Sequence, residues 1–511
     1  MNPIRYLLLL STAVSLVMAN SLYADEAQDG SRFDEELNER DFDALRDYLR
    51  SKRAEDIVDN SSILTISGDV RTEWRHLNET CRHQRLRGEG TVNSKGVPIS
   101  RNDFDIEFNL RFDYICDKAW ATAHVRYDNS AGVDDNGHPC RPVLEGDSRC
   151  CVEQARECLG DPQGYHGSGN CDDLCLKKAY MGYELYSDSN SRFFFELGRR
   201  GNIYNVFDSN IQFLSRLDGL LLKYQRTWDS VADWYIQGAG FVVDERVNHF
   251  AWVVELGLLN IADYGWDLKY SIIDWEKHGE NRCFVRNPKG FRFINSQWTA
   301  IYHLNPEWVE KLPYTCLHKP VKFYGAFLVN HAAEKIPTDK AVWAENRIRK
   351  AENEIAVLNE IKAANKRKIT PILDANIEQL NTEIAEENRI IASQRKYRSR
   401  QNLGWYAGVL FGEVRKEGDW AIEVQYQYVQ AQALPDGDCA GISRGNVLDE
   451  SFTTCSRRGN TNYKGWRMEG LYAFTDNLTL DTILESSEAA DPNIGGAHTY
   501  SKLELEAIYA F

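Results

Sequence analysis

The stretch "DFDIEFNLRFDYI", residues Asp103–Ile115, decides the fold class of this chain. Apolar and polar side chains alternate along it, and only a β-strand sorts such a pattern onto two faces. The apolar face consists of Phe104, Ile106, Phe108, Leu110, Phe112 and Tyr114. In a soluble sandwich this face would point into a protein core, whereas in a membrane barrel it would point into lipid. The rest of the chain has to decide between the two.

The first residues have the features of an export signal. Arg5 precedes an apolar run from Tyr6 to about Ala19, and Ala19 and Ala24 are small residues suited to a signal peptidase. We expect cleavage near Ala24, which makes residues 1–24 the signal peptide, with Ala19 as the alternative site. No later run approaches the roughly 18 apolar residues of a membrane-spanning helix. The sequence therefore predicts an exported protein that is not a helical membrane protein.

The composition argues against two function classes. The chain has 511 residues, 12% of them aromatic, and a formal net charge of −16. Disordered chains lack such an aromatic content, and nucleic-acid-binding domains are usually basic. The sequence carries no HExxH motif and no phosphate-binding loop. We therefore expect neither an enzyme nor a nucleic-acid-binding protein, and we expect no cofactor and no metal.

Sixteen segments with the same strand-like pattern follow residue 61. They span about residues 64–75, 104–115, 119–128, 177–186, 192–200, 217–226, 232–243, 251–260, 266–275, 291–303, 321–331, 403–415, 420–432, 463–474, 478–485 and 500–511. Bacterial single-chain barrels have an even number of antiparallel strands. The pattern therefore predicts an all-β fold, a transmembrane antiparallel β-barrel of about 16 strands over residues 61–511.

The connections between these segments alternate in length. The short ones begin at Cys116, Ser187, Thr227, Ala262, Lys416 and Thr475, and those between them are usually long. The exceptions are residues 304–320 on the short side and residues 244–248 on the long side. Short turns on one side and long loops on the other are typical of an outer-membrane barrel, and a soluble sandwich has no reason to keep this order.

Two further segments have helical character. Residues 25–60 predict a short periplasmic helix before the barrel, with a loose linker as the alternative. Residues 338–400 predict an antiparallel coiled-coil hairpin, because apolar residues recur at four-three spacing and Thr370-Pro371 restarts a helix. The first helical stripe is formed by Ala344, Ile348, Ala351, Ile355 and Leu358. We expect the hairpin to project from the cell surface as an adhesin or an inert insertion, unless it folds back as a plug.

The chain has twelve cysteines, and cysteines of an exported chain favour disulfides. Ten lie on the predicted long-loop side, six of them in the extracellular loop 129–176. These candidates are Cys81, Cys140, Cys150, Cys151, Cys158, Cys171, Cys175, Cys283, Cys439 and Cys455. They can staple their own loops or cross-link neighbouring envelope proteins. A zinc site that includes His166 is the third alternative.

If the apolar face meets lipid, the charged face lines a pore. The predicted pore-lining residues are Arg71, Glu73, Asp105, Glu107, Arg111, Asp113, Arg126, Glu196, Arg200, Asp208 and Lys223. Charges of both signs in a water-filled lumen create a field that selects solutes, although part of them only keep a lumen wet.

The connection Gly201–Arg216 is the third on the long side. We expect it to fold inward as a constriction in which Asp208 faces Arg200, Arg111 and Arg126. An ordinary capping loop is the alternative, because its apolar residues could equally pack against a neighbouring loop or subunit.

The last strand closes on an aromatic residue, with Phe511 and Tyr509 on its apolar face. This ending resembles the signal that the barrel assembly machinery recognises in outer-membrane proteins. Three stretches add to it: "RDFDALRDYLRSKR" from Arg40, "SGDVRTEWRHL" from Ser67 and "FFELGRRGNIYNVFDSNIQFLSRLDGLLLKY" from Phe194. Together they resemble bacterial outer-membrane porins, specifically the cysteine-rich porins of chlamydia-like bacteria.

The resemblance covers most of the mature chain and implies a passive diffusion channel in outer-membrane lipid, in an envelope stiffened by disulfides. The helical insertion departs from the family pattern. We therefore expect an outer-membrane porin for small hydrophilic solutes, either a homotrimer or a protein disulfide-linked to other envelope proteins. The alternatives are a structural or adhesive surface protein anchored by a barrel and a soluble secreted β protein.

Overall fold

The computed structural model describes residues 55–59, 62–88, 101–129, 174–202, 206–212, 216–228, 231–244, 249–279, 291–305, 308, 318–364, 370–435, 438–442 and 461–511. The predicted signal peptide, the predicted N-terminal helix and most of the cysteine-rich loop lie outside these residues. The long strands of the described chain are β1 Ser62–Cys81, β2 Asn102–Cys116, β3 Ala119–Asn129, β4 Leu174–Ser187, β5 Ser191–Asn202, β6 Arg216–Trp228, β7 Ala232–Asp244, β8 His249–Leu259, β9 Trp266–Gly279, β10 Phe291–His303, β11 Val321–Asn330, β12 Leu403–Glu413, β13 Trp420–Val429, β14 Tyr463–Ala473, β15 Leu478–Ala489 and β16 His498–Ala510.

These sixteen strands close into one antiparallel barrel. Each strand pairs with the next in the sequence, and β16 returns to pair with β1, from His498 opposite Cys81 to Ala510 opposite Asp69. The predicted sixteen-stranded barrel is confirmed. The largest boundary error concerns β1, which continues six residues past the predicted end at Arg75. Its extension has polar residues on the outer face, so the apolar alternation did not mark it.

A short strand precedes β1 at the end of the predicted N-terminal segment. The helix expected within residues 25–60 stays a prediction, because the structure describes only Glu55–Asp59 of them, and these form a strand that pairs with the beginning of β1. The β-branched pair Ile57 and Val58 lies opposite Leu64 and Ile63, an arrangement that suits a pleated sheet. A second short strand, Gln84–Arg85, pairs with the end of β1.

The outer face of the barrel is apolar. In β2, Phe108 is 37% exposed on the outside, whereas the adjacent Asn109 is 1% exposed on the inside. The same alternation runs through β8, where Trp252, Val254 and Leu256 are exposed. A closed sheet with apolar residues outside and polar residues inside is the arrangement of a membrane barrel and the opposite of a soluble one. The apolar face of the stretch Asp103–Ile115 therefore points outward.

Two helices occupy most of the connection between β11 and β12. α1 spans Asp339–Ala364 and α2 spans Thr370–Gln394. Ion pairs join Arg347 to Glu387 at 2.7 Å and Lys362 to Asp374, and the order of these pairs makes the helices antiparallel. Their packing as a coiled coil stays a prediction. No helix in the described part of the chain combines the length and the apolar content needed to cross a membrane.

The base of α1 is fastened to other connections at the barrel mouth. The Asp339 carboxylate accepts a hydrogen bond of 2.8 Å from the backbone N–H of Gly495, which lies between β15 and β16. Arg82, just after β1, is 3.6 Å from Asp339 and lies 4.7 Å above the ring of Trp343. The helices therefore begin at the rim and are held there from two sides.

Candidate pore lining and constriction

Strand alternation identifies the inner wall of the barrel. In β10, Trp298 is 63% exposed on the outside and Gln297 is 1% exposed on the inside. Successive residues of a strand point to opposite faces, so the same parity assigns Gln237 of β7, Lys269 of β9 and Gln427 of β13 to the inside. The three are buried. Contacts with another part of the chain account for this burial.

These contacts come from a segment of the connection between β5 and β6, which we call the inner segment, residues 206–212. Its backbone carbonyls accept hydrogen bonds from the three inward glutamines. Gln237 donates to Val206 at 2.7 Å, Gln297 to Asp208 at 2.8 Å and Gln427 to Asn210 at 3.3 Å. The inner segment therefore crosses the inner wall from β7 to β13.

Side chains of the inner segment also contact the wall. The Ser209 hydroxyl and the Gln212 amide donate to Gln297 Oε1 at 2.8 and 3.1 Å. Lys269 Nζ donates to an Asp208 carboxylate oxygen at 2.8 Å, and the lysine side chain is only 4% exposed. An ion pair with so little water around it needs both partners, since either charge alone would be left buried.

Apolar residues complete the attachment. Val206 and Phe207 belong to a buried cluster formed by the inner face of β6–β10, which includes Phe241, Trp275 and Phe293. Ile336, Ala431 and Ile494, from three other connections, join the same cluster. Phe207 is fully buried, and so is Ile211, which packs in a second cluster with Leu328 and Ala433. The upper inner wall on this side is therefore dry, and apolar burial holds the inner segment against it.

The ion pairs predicted for the constriction are wrong. The connection does fold against the inner wall, but Asp208 pairs with Lys269 and not with the three arginines. Arg200 pairs with Glu196 at 2.8 Å, Arg111 with Asp113 at 2.6 Å and Arg126 with Glu107 at 2.8 Å. The reason is the path of the chain, since the arginines lie on β2, β3 and β5 whereas the inner segment crosses β7–β13.

The opposite wall, from β13 through β16 to β3, carries a network that we call the charged belt. Its described carboxylates are Asp69, Glu73, Asp105, Glu107, Asp113, Glu423, Glu469, Asp481, Glu485, Glu504 and Glu506, and its basic groups are Arg71, Arg75, Arg111, Arg126, Arg467 and Lys502. All of them occupy inward positions of their strands. Direct cross-strand partners such as Arg71 and Glu107 bring opposite charges together on this face.

Arg71 and Arg75 hold the part of the charged belt around β1. Arg71 is 2.6 Å from Asp69, 3.3 Å from Glu506 and 4.0 Å from Glu107. Arg75 contacts Glu73 at 2.6 Å and also Asp105. Each guanidinium presents five N–H donors, which lets one arginine serve several carboxylates.

Arg467 and Lys502 hold the part around β14 and β16. Arg467 is 3.3 Å from Glu423 and 3.4 Å from Glu485, and it also contacts Glu469. Lys502 is 3.6 Å from Glu485 and 2.9 Å from Glu504. The charged belt is therefore a continuous ionic surface of the wall, with side chains that satisfy one another along it.

The predicted pore-lining residues divide between these regions. Arg71, Glu73, Asp105, Glu107, Arg111, Asp113 and Arg126 lie in the charged belt, Glu196, Arg200 and Lys223 lie on the inner faces of β5 and β6, and Asp208 lies on the inner segment. Lys223 sits 5.0 Å above the ring of Tyr235, and Glu196 accepts a hydrogen bond of 3.1 Å from Trp120. The glutamines that fasten the inner segment were missed. The sequence indicates them only by three glutamines at inward strand positions where charged residues were expected.

The structure describes four of the twelve cysteines. Cys81, Cys175 and Cys439 are described, as is Cys116, and no disulfide joins any two of these four. The remaining candidates, Cys140, Cys150, Cys151, Cys158, Cys171, Cys283 and Cys455, lie outside the described residues. The disulfides stay a prediction.

Phe511 sits at the seam between β16 and β1. It exchanges two backbone hydrogen bonds of 3.0 Å with Gly68, and its ring stacks on Phe108 at 6.3 Å between centroids. A Cβ on residue 68 would come within 2.7 Å of this ring, so only glycine leaves room for it. Tyr509 is exposed on the outer face. The role of the two aromatics as an assembly signal stays a prediction.

Residues 353–501, from α1 to β16, match a protein family described as "Putative porin". The match supports a porin-type barrel. No curated protein matches the chain. Among solved structures, the chain is similar to Pseudomonas putida OprB at high pH, with 8% identity, 88% of this chain and 94% of that chain covered, and a TM-score of 0.43. It is also similar to Salmonella typhi OmpF in complex with daunomycin, with 11% identity, 89% and 100% coverage and a TM-score of 0.41. A mutant porin of Rh. blastica gives 7% identity, 88% and 100% coverage and a TM-score of 0.36.

Proposed function

We propose that this protein is an outer-membrane porin, a water-filled channel through which small hydrophilic solutes diffuse passively. One observation carries the proposal: a single closed sheet is apolar on its outer face and carries the charged belt on its inner face. Such a sheet is stable only with lipid outside and water inside. The porin family match over α1 to β16 adds support.

The inner segment gives this channel its narrow part. It is fastened to one side of the wall by Gln237, Gln297 and Gln427, so the solute path runs between it and the charged belt. The partly exposed residues of the inner segment, Asp208 and Asn210, lie on one side of this path and ionic groups lie on the other. This suits polar molecules that exchange hydrogen bonds with water for hydrogen bonds with the wall.

Purified full-length protein in planar bilayers tests the proposal. We expect discrete and reproducible conductance steps, and liposomes containing the protein should swell in small sugars and stop swelling above a size limit. A heat-denatured sample of the same preparation is the control and should be silent. Persistent silence of the folded protein would show that the barrel is not an open channel.

The helices favour a second candidate, a structural or adhesive surface protein. Val357, Ile361 and Ile372 are exposed apolar side chains on the helix pair. A variant that replaces residues 340–398 by a short glycine-serine linker separates the two functions. If conductance survives and attachment of cells to a surface is lost, the helices are the adhesive part and the barrel is the channel.

We further propose that the protein resides in the outer membrane after export and insertion by the barrel assembly machinery, as a homotrimer or in contact with other envelope proteins. Fractionation of the producing cells checks the location, and the size of the detergent-extracted complex checks the oligomer. Recovery in the soluble fraction after extraction would contradict a membrane location.

A further inference from the structure

The charged belt holds more acidic than basic groups. Eleven described carboxylates face six basic side chains, as named above for β13–β3. Asp113 and Glu107 are among the more exposed carboxylates, with side chains 24% and 14% exposed, so the excess charge reaches the water of the lumen. The net charge of this wall is therefore negative.

Four of the six basic groups of the charged belt, Arg71, Arg75, Arg467 and Lys502, are shared between carboxylates. Arg71 and Arg467 lie within 4.0 Å of three carboxylates each, and Lys502 lies within that distance of two. A guanidinium or ammonium surrounded in this way presents little positive potential to a passing ion, because the carboxylates compensate it on the wall itself. The potential that extends into the lumen is set by the carboxylates in excess.

The rest of the described inner wall does not cancel this excess. Its inward basic groups are Lys178, Arg192, Arg200, Lys223, Lys269 and Lys322, and its inward carboxylates, with that of the inner segment, are Glu184, Glu196, Asp208, Asp233, Glu255 and Asp267. The two signs balance there, so the excess of carboxylates on the charged belt is not offset. Lys269 is also paired with Asp208 under the inner segment and away from the solute path.

We propose that the channel prefers cations over anions and that the charged belt sets this preference. The inference rests on the proposed function, because it assigns a selectivity to the same lumen. A wall of negative potential raises the local concentration of cations and lowers that of anions, most strongly at low salt, where screening is weak. Cationic and zwitterionic small solutes should therefore pass faster than anionic ones of the same size.

The test is the reversal potential of full-length protein in planar bilayers that separate two KCl concentrations. We expect the sign that corresponds to K⁺ passing more readily than Cl⁻. In the double variant Glu107→Gln/Asp113→Asn, which keeps both side-chain shapes, the ratio of K⁺ to Cl⁻ permeability should fall by about two-fold or more. Glu352→Gln/Glu386→Gln removes the same charge from exposed positions on α1 and α2 and should leave the ratio unchanged.

The outcomes distinguish this inference from the proposed function. Open channels that prefer Cl⁻, or that show no preference at low salt, overturn the inference and leave the porin intact. Silent bilayers overturn the porin and the inference with it. If the double variant does not fold, as judged by loss of the heat-dependent shift in gel mobility, the reversal potential of the unmodified protein still decides.

Discussion

The charged belt and the wall under the inner segment belong to the same sheet but satisfy their inward groups in different ways. On the charged belt, groups of neighbouring strands satisfy one another, as Arg71 does with Glu107 and Glu506. On the wall from β7 to β10, Gln237 and Gln297 reach away from the sheet to the backbone of the inner segment. The side chains of the first wall satisfy one another, whereas the second wall needs a partner from a loop.

The difference follows from residue type. Carboxylates and guanidiniums pair efficiently across adjacent strands, so they need no partner from a loop. Inward apolar residues such as Phe241, Trp275 and Phe293 cannot face water at low cost, and burying them requires other apolar groups. Phe207 and Val206 supply these groups. In the proposed channel, the charged belt provides the electrostatic character and the wall under the inner segment holds the narrow part.

Removal of the Phe207 ring should have the largest effect, and it should disturb only the wall under the inner segment. Phe207→Ala should weaken the attachment of the inner segment to the wall by about 3–5 kcal/mol, because loss of a fully buried aromatic side chain leaves a cavity in the cluster. With the inner segment loosened, single-channel conductance and the size limit for sugars in liposome swelling should both rise. Phe327→Ala makes the same change on the outer face of β11 and should leave both unchanged. Equal behaviour of the two variants would mean that Phe207 does not hold the constriction.

Loss of Arg467 tests the charged belt. Arg467→Met leaves Glu423, Glu469 and Glu485 without their shared cation, and breaking such a buried pair costs roughly 3 kcal/mol. The urea concentration that abolishes the folded band on gels should fall, while the sugar size limit should stay the same. Arg192→Met is the matched control, because its pair with Glu184 is much more exposed and is worth less than about 1 kcal/mol. A control variant as unstable as Arg467→Met would contradict the cooperative role of the charged belt.

A substitution of Gln297 tests the hydrogen bonds between the inner segment and the wall under it. Gln297→Ala removes its bonds to Ser209, Gln212 and the carbonyl of Asp208, with an expected loss of about 1–3 kcal/mol. Conductance should rise as in Phe207→Ala but by less, since the apolar cluster remains. Gln430→Ala, which removes an amide that bonds to Leu403 and Tyr428 near the rim, should not alter conductance. A larger effect of Gln297→Ala than of Phe207→Ala would reverse the order of importance proposed for the two kinds of contact.

The barrel could be predicted from the sequence because each strand carries its own signal. A period of two is local, and it marked β10, Phe291–His303, with the bounds that the structure has. The alternation of short and long connections then decided which face meets lipid. The end of β1 was missed where His76, Asn78 and Thr80 interrupt the apolar pattern, since polarity on the outer face near the rim is compatible with a strand but does not indicate one.

The pairing inside the lumen could not be predicted in the same way. Position along a strand tells which side chains face inward, but not which wall a loop will approach. Asp208 is close in sequence to Arg200 and was expected to face it, yet the loop carries it along the inner wall to Lys269 on β9. The deciding contacts are those of Phe207 with the apolar wall, and these depend on strands that are distant in sequence.

The return of β16 to β1 has a kinetic consequence. Tyr509 lies opposite Val70, so the sheet cannot close before the ribosome has produced all the intervening strands. Until then both edges present unpaired N–H and C=O groups, which readily pair with strands of other chains. Contacts between residues so far apart in sequence also form slowly. The interval between synthesis and closure is therefore the period in which this chain most needs a chaperone, and Gly68→Val, which leaves no room for the Phe511 ring at the seam, should prolong it.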